Sequence, residues 1–297
     1  MQKPSRQRRK KSNPRPAKRR RSSPMALARA GFTLGVKPVS ALRPHEETIP
    51  SHVRGIAAEM KEDGVQKDPI IIDQDTLTVL DGMHRLAAFN VLGVENAVCC
   101  SVDYASPAIK LGRWARVYTL PSGYSLQVIL NQTGLTRRSA LAQAFDALEG
   151  RHTGLALLTA DSAHLPEGNL ELGRAMEIML DFDRMAEEGG WKREFVSEDD
   201  VDVPLQSERN IVVMVRKLRK DDVVNSAKSG RLFPCKTSMH VIDPRPVAVN
   251  FPMADLDGAT SASLRNWLEG MQVQVLPPGS QYEGRRYKER LLVLNQG

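Results

Sequence analysis

Three short segments group the side chains that chemistry uses. Arg43-Pro44-His45-Glu46 ends in a carboxylate. Asp81-Gly82-Met83-His84-Arg85 follows an apolar run and opens a helical pattern. Phe233-Pro234-Cys235-Lys236-Thr237-Ser238-Met239-His240 packs a cation, two hydroxyls and an imidazole into its last five residues. The middle segment reads as strand, turn and helix. Gly82 permits the tight turn, and the first amides of the helix lack internal partners. With the helix dipole they form an anion site. His84 and Arg85 add donors in the first turn, and an arginine can clamp phosphate oxygens bidentately. Asp81 can orient one of these side chains or hold Mg²⁺. Equally, Asp81 caps the helix and Arg85 is a surface residue. The late segment suits a carboxylate or a phosphate, or is an exposed polar loop. It is no Walker loop, although Gly230 to Thr237 copies the spacing. Cys235 stands where the second glycine is needed, and a helix precedes it, not a buried strand. Glu46 can take a proton from a hydroxyl. A glutamate of ordinary pKa, about 4.3, does so through positioning or through a raised value. A capping or surface role for Glu46, with Glu47 beside it, stays open.

Alternating strands and helices must position these segments. The patterning predicts strands over 36–42, 69–73, 77–80, 97–102, 155–159 and 210–217, the second and third forming a hairpin. It predicts helices over 51–63, 83–92, 170–188, 221–229 and 261–269. Ser51 is the expected N-cap of the first, and Gly64, Gly93 and Gly230 are expected stops. The methionines at 176, 179 and 185 read as core filler. No fixed-period repeat is present.

The chain has 297 residues, 41% of them hydrophobic, enough for one large or two small cores. No apolar run reaches the roughly 18–20 residues of a membrane span. The basic start is not followed by an apolar stretch in signal-peptide order, so secretion is not expected. Three cysteines, two of them adjacent at Cys99 and Cys100, argue against a disulfide framework or a zinc site and for the cytoplasm. The net charge of +7 is misleading. Residues 1–22 hold eleven Lys and Arg and no acid; without them, 31 basic residues face 35 acidic ones. The expectation is a disordered basic tail over 1–34, attached to a mildly acidic body. Nucleic acid is expected as a partner only through residues 1–22, and a membrane is not.

The succession Pro44-His45-Glu46, Pro69-Ile70-Ile71-Ile72-Asp73, Val79-Leu80-Asp81-Gly82-x-His84-Arg85 and Val102-Asp103-Tyr104 resembles the ParB/sulfiredoxin-type nucleotide-binding fold. Within it, the chain is similar to the free-serine kinases, which phosphorylate the side-chain hydroxyl of the free amino acid with ADP or ATP. That family's Asp-Gly-His-His-Arg is matched at 81–85. Its Lys-Pro-His-Glu, whose glutamate is the catalytic base, is matched at 43–46. Its late Pro-Lys-Thr-Thr-Arg-His-Val is matched at 235–241. The chain departs from the family at Met83, at Met239 in place of arginine, and at Leu120 in place of a tryptophan.

The resemblance implies a mixed α/β (α+β) fold. A ParB/sulfiredoxin-like domain at 35–120 would be followed by a second α/β domain at 121–256 that completes the amino-acid site across a cleft. Residues 257–297 would form a C-terminal extension. It implies Glu46 as catalytic base and Asp81, Gly82, Met83, His84 and Arg85 on the nucleotide phosphates. Lys236, Thr237, Ser238 and His240 would hold the amino acid. ADP or ATP and Mg²⁺ are the implied cofactors, with no metal ligands assigned. Serine is the first acceptor, threonine or a related β-hydroxy amino acid the next. Sulfiredoxin chemistry is excluded by Met83, which stands where its nucleophilic cysteine belongs. Two alternatives remain: a ParB-like nucleotide-dependent DNA-binding regulator, and an inactive nucleotide-binding regulator. The first needs a helix-turn-helix after the nucleotide domain. Residues 133–140 open a possible helix there, without a convincing partner.

Overall fold

The computed structural model describes residues 32–296. The basic tail, with the disorder and the nucleic-acid contact expected of it, lies outside the described residues. The first part of the chain runs β1 (Thr33–Pro38), α1 (Pro50–Asp63), β2 (Val65–Gln66), β3 (Ile70–Asp73), β4 (Val79–Asp81), α2 (Met83–Leu92) and β5 (Asn96–Val102). Its sheet has the order β1-β5-β3-β4. β3 is Ile-Ile-Ile-Asp, buried along its length and parallel to β5, as expected of a strand covered on both faces. β3 and β4 form the expected antiparallel hairpin. Its turn passes through Leu77, which has a positive φ and so delays β4 to Val79.

The second part contains β6 (Ile109–Thr119), α3 (Leu126–Thr133), β7 (Arg137–Ser139), α4 (Leu141–Glu149), β8 (Leu155–Leu158), β9 (Ala163–Leu165), α5 (Leu172–Glu188), β10 (Lys192–Ser197), β11 (Asn210–Val215), α6 (Lys220–Ser229) and β12 (Ser238–Ile242). Its seven-stranded sheet has the order β10-β6-β11-β8-β9-β7, with β12 paired to the first half of β6. Side chains alternate across it. Ile211, Val213 and Val215 of β11 join the core beneath α5, whereas Val212 and Met214 join Ala144 and Leu148 of α4 on the other face. Residues 133–140 contain β7 rather than a recognition helix.

The last part runs β13 (Arg245–Val247), β14 (Phe251–Pro252), α7 (Ser261–Glu269), β15 (Met271–Leu276), a hairpin of β16 (Gln281–Tyr282) and β17 (Arg285–Arg286), and β18 (Leu291–Gln296). It returns to the first part. β14 pairs with β2, and the Trp267 indole N–H of α7 donates to the Val249 carbonyl at 2.9 Å. β18 lies between β13 and β15.

Two further boundaries differ from expectation for visible reasons. Residues 39–41 turn into a short 3-10 helix, so β1 ends at Pro38. α1 begins at Pro50 with Ile49 as N-cap, because proline at the first helical position needs no N–H partner and is preset in φ. Ser51 is therefore no cap.

Candidate active site

The three motifs meet. A cleft of about 530 Å³ is lined by Glu46 and Glu47, the first turns of α1, Asp81 to Arg85, Trp114, Lys236, Ser238 to His240, and Arg285. Its floor is built around Glu46. The backbone on both sides of Glu46 bridges the late loop: Phe233 N–H donates to the His45 carbonyl at 2.9 Å, and Glu47 N–H donates to the Phe233 carbonyl at 2.8 Å. This alignment puts the Glu46 carboxylate against two main-chain amides 190 residues downstream. Ser238 N–H reaches Oε1 at 2.5 Å and Lys236 N–H reaches Oε2 at 3.1 Å. Lys236 has φ of 57°, in the left-handed region, which costs a non-glycine residue about 1 kcal/mol. That turn lets the amides at 236 and 238 converge on one carboxylate.

Electrostatics then decide its charge. Burial alone pushes the Glu46 carboxyl up. The His45 imidazole, 3.6 Å from Oε1, and the hydrogen bonds from Ser238 outweigh burial and hold it below its ordinary value. His45 is itself fixed: Nδ1–H donates to the Val79 carbonyl at 2.7 Å, and Nε2 lies 2.9 Å from the Ser238 hydroxyl. Glu46 is thus an ionised, oriented carboxylate whose basicity comes from placement.

The second wall is the start of α2. Gly82 has φ of 103°, and a Cβ there would lie 2.9 Å from the Arg85 guanidinium. Gly82 is the N-cap, and no side chain caps the helix. The first intrahelical bond of α2 is Leu86 N–H to the Gly82 carbonyl, so the amides of Met83, His84 and Arg85 have no helical partner. Asp81 does not cap. Burial pushes its carboxyl up, but Arg245 at 3.1 Å and Arg85 at 2.8 Å hold it far below the usual carboxylate range. The structure thereby selects one of the roles open to Asp81, that of orienting Arg85.

His84 lines the cleft with its Nε2 already accepting the Ile49 amide at 3.0 Å. Burial and the nearby Lys236 charge push its pKa down. His240 also borders the cleft. Its Nε2 meets the Tyr104 hydroxyl at 2.8 Å, and burial drives its pKa far down, so it is a neutral hydrogen-bonding wall. Ser238 and Lys236 face the cleft. Thr237 is fully buried with its hydroxyl on the Pro234 carbonyl at 2.7 Å, and does not line the cleft.

Three contributors escape motif reading. Trp114 of β6 lies under the Lys236 ammonium, 4.9 Å from the ring centre. Leu120, where the resemblance places a tryptophan, is buried and outside the cleft. Arg116 is fully buried, two residues along β6 from Trp114. It donates to the Cys235 carbonyl at 2.7 Å while paired to Asp183 of α5 at 3.2 Å, and so anchors the turn that presents Lys236. An arginine set between Ala115 and Val117 in a strand was the available signal. Arg285 comes from the β16–β17 hairpin, and nothing local in sequence connects it to the cleft.

No group of three or more His, Cys, Asp and Glu suited to a metal exists among the described residues. Asp81 is enclosed by arginines. Glu47 and Glu59 are the exposed cleft carboxylates, and they fit the sparse protein ligation that magnesium accepts when phosphates and water supply its remaining ligands.

Comparison with known proteins gives the arrangement its context. No protein-family model matches the chain. It has the fold of a solved free serine kinase in complex with AMP (TM-score 0.61, 20% identity, covering 82% of this chain and 98% of that one). SbnI from Staphylococcus aureus, truncated at its C-terminus, shares the fold (TM-score 0.60, 16% identity, 81% and 95% coverage). In sequence, the chain is 24% identical over 228 residues to an ATP-dependent L-serine kinase of Staphylothermus marinus, covering 73% of this chain and 89% of that protein. It is likewise 24% identical over 225 residues to the ADP-dependent L-serine kinase SerK of Thermococcus kodakarensis, covering 72% and 89%. A 76-residue stretch is 34% identical to a ParB-like protein of Sulfolobus acidocaldarius. The resemblance to free serine kinases drawn from three motifs therefore extends along most of the chain and to its fold.

Proposed function

We propose that this protein is a phosphotransferase that moves a phosphoryl group from ADP or ATP to the side-chain hydroxyl of free L-serine. The observation that carries this reading is the convergence of an ionised, amide-held Glu46 and the unpaired amides of α2 on one cleft. The likeness to L-serine kinases over nearly nine-tenths of their length supports it.

The amides of Met83, His84 and Arg85 take the donor phosphates, with Lys236 adding positive charge. Glu46 accepts a hydrogen bond from the serine hydroxyl and orients a lone pair at the terminal phosphorus. The hydroxyl oxygen forms the new P–O bond as the bond to the leaving nucleotide oxygen breaks, and the hydroxyl proton passes to Glu46. Positioned proton removal of this kind contributes roughly 10²–10⁴-fold. The remainder comes from alignment and charge neutralisation, which dominate phosphoryl transfer. Mg²⁺ bound with the nucleotide would neutralise phosphate charge, and Glu47 and Glu59 are the carboxylates placed to meet it. Ser238 and His240 shape the acceptor end. The division expected at 120 moves earlier, because β6 (Ile109–Thr119) pairs with β10, β11 and β12 of the acceptor part. Among the described residues no helix is long and apolar enough to cross a membrane, and a cytoplasmic location accords with a nucleotide donor and three free thiols.

The test incubates purified protein and Mg²⁺ with ADP or ATP against serine, threonine and homoserine, read by phosphorus NMR and mass spectrometry. O-phosphoserine from one donor is the expected result. Saturable nucleotide binding without any phosphorylated amino acid would instead identify an inactive regulator.

A further inference from the structure

Three cationic side chains of Lys and Arg line the cleft: Arg85, Lys236 and Arg285. Two are engaged. Arg85 is paired to Asp81 and donates to the Pro69 carbonyl at 3.2 Å. Lys236 lies over Trp114, beside the turn that holds Glu46. Arg285 is different. Its guanidinium lies over the Tyr287 ring, 4.7 Å from the centroid, its charge helps hold the Asp81 carboxyl down, and among the described residues its side chain has no ion pair or hydrogen bond. A cation–π contact of this kind leaves the five N–H donors of the guanidinium unspent.

The hairpin is not loosely hung. Tyr287 is buried and exchanges backbone hydrogen bonds with Ser280 and Gly279. Arg245 ties the segment to the site, because its one guanidinium pairs with Glu289 beyond the hairpin, with Asp81 of the cleft and with the His240 carbonyl. Arg285 thereby reaches the end of the cleft bordered by Met239 and His240, with Asp81 and Arg85 on its other side. Met239 offers that end no donor, and His240 is neutral. The α2 amides and Lys236 serve the phosphates, so a second anion in the same cleft requires another cation.

We infer that Arg285 is a substrate-binding residue that takes the carboxylate of the free amino acid through a paired hydrogen bond. This rests on the kinase reading above and deepens it: an acceptor carrying a free α-carboxylate is selected by a residue from the C-terminal hairpin.

The experiment compares wild type, Arg285→Met, Arg285→Lys and Arg286→Met on L-serine and L-serinamide, which lacks the carboxylate. Arg285→Met is expected to raise KM for serine about tenfold to a hundredfold, the worth of a charged hydrogen-bond pair. KM for the nucleotide stays within twofold, and the preference for serine over serinamide collapses. Arg285→Lys recovers part of the loss, and Arg286→Met behaves as wild type. An unchanged KM for serine overturns the inference, as does a raised nucleotide KM with the serine preference intact, which would place Arg285 on the phosphate. Wild type that yields no product defeats the kinase reading separately. Calorimetric titration of L-serine into wild type and Arg285→Met then decides the carboxylate contact, and binding that is equal or absent in both overturns it.

Discussion

Replacing Glu46 by glutamine separates the base from its cradle. In the native site Oε1 accepts the Ser238 amide and Oε2 accepts the Lys236 amide. A glutamine keeps the shape but turns one of those acceptors into an NH₂ group facing an N–H. One charge-assisted bond is lost and one donor is left buried without a partner, a combined cost of about 2–3 kcal/mol. With no carboxylate to take the hydroxyl proton, kcat should fall by roughly 10²–10⁴. The stability change has a definite pH signature. The native Glu46 carboxyl lies below its ordinary value. Its ionised contacts therefore stabilise the fold above that pH, and their contribution is lost as the pH falls through the native value. Thermal denaturation from pH 8 down to 3 should show the gap between wild type and Glu46→Gln closing on the acid side, while mass spectrometry of the product gives kcat. A Glu46→Gln protein with wild-type turnover, or a gap that widens on acidification, would refute the assignment of Glu46 as an ionised, amide-held base.

Other perturbations test the surrounding structure. Gly82→Ala places a Cβ at φ of 103° and against the Arg85 guanidinium; about 1–2 kcal/mol of stability and at least tenfold in nucleotide affinity should be lost, and an unaltered Kd would show that this turn does not shape the phosphate site. Arg245→Met strands the buried Glu289 and leaves Asp81 to Arg85 alone, so urea denaturation should reveal a loss of about 3–5 kcal/mol. The loss should shrink in an Asp81→Asn background, and strict additivity would show that the pair is uncoupled. Burial keeps the His240 pKa well below its ordinary 6.5, so the unfolded chain takes up that proton first. Stability should fall as pH drops from 7 to 5, less steeply in His240→Gln, with His84 adding to the fall in both proteins.

Much of the framework was legible because it is local. The isoleucine run of β3, the periodic apolar face of α1 and the Asp81-Gly82 break before α2 each declare themselves within a dozen residues. The motifs carrying Glu46, the α2 amides and Lys236 are similarly compact, and their order was enough to suggest a shared cleft. What sequence did not disclose depends on pairing at a distance. β6 takes its role from four partners that follow it, namely β10, β11 and β12 directly and α5 through Arg116. Trp114 and Arg116 acquire functions only once β12 lies beside that strand. The two hydroxyls of the late motif look equivalent in sequence, yet the positive φ at Lys236 turns Thr237 inward and Ser238 toward the cleft. Arg285 is brought in by the pairing of β18 with β13, forty-odd residues away.

The carboxylate at position 46 is gripped chiefly by the peptide groups of residues 236 and 238, with the Ser238 hydroxyl the one side chain of the two that assists. Main-chain donors survive substitution. The late motif can therefore exchange its side chains, as with a methionine at 239, without dismantling the reactive centre. Acceptor preference and catalytic competence become separable traits, and the loop that faces the substrate is free to diverge while the proton acceptor stays where it is.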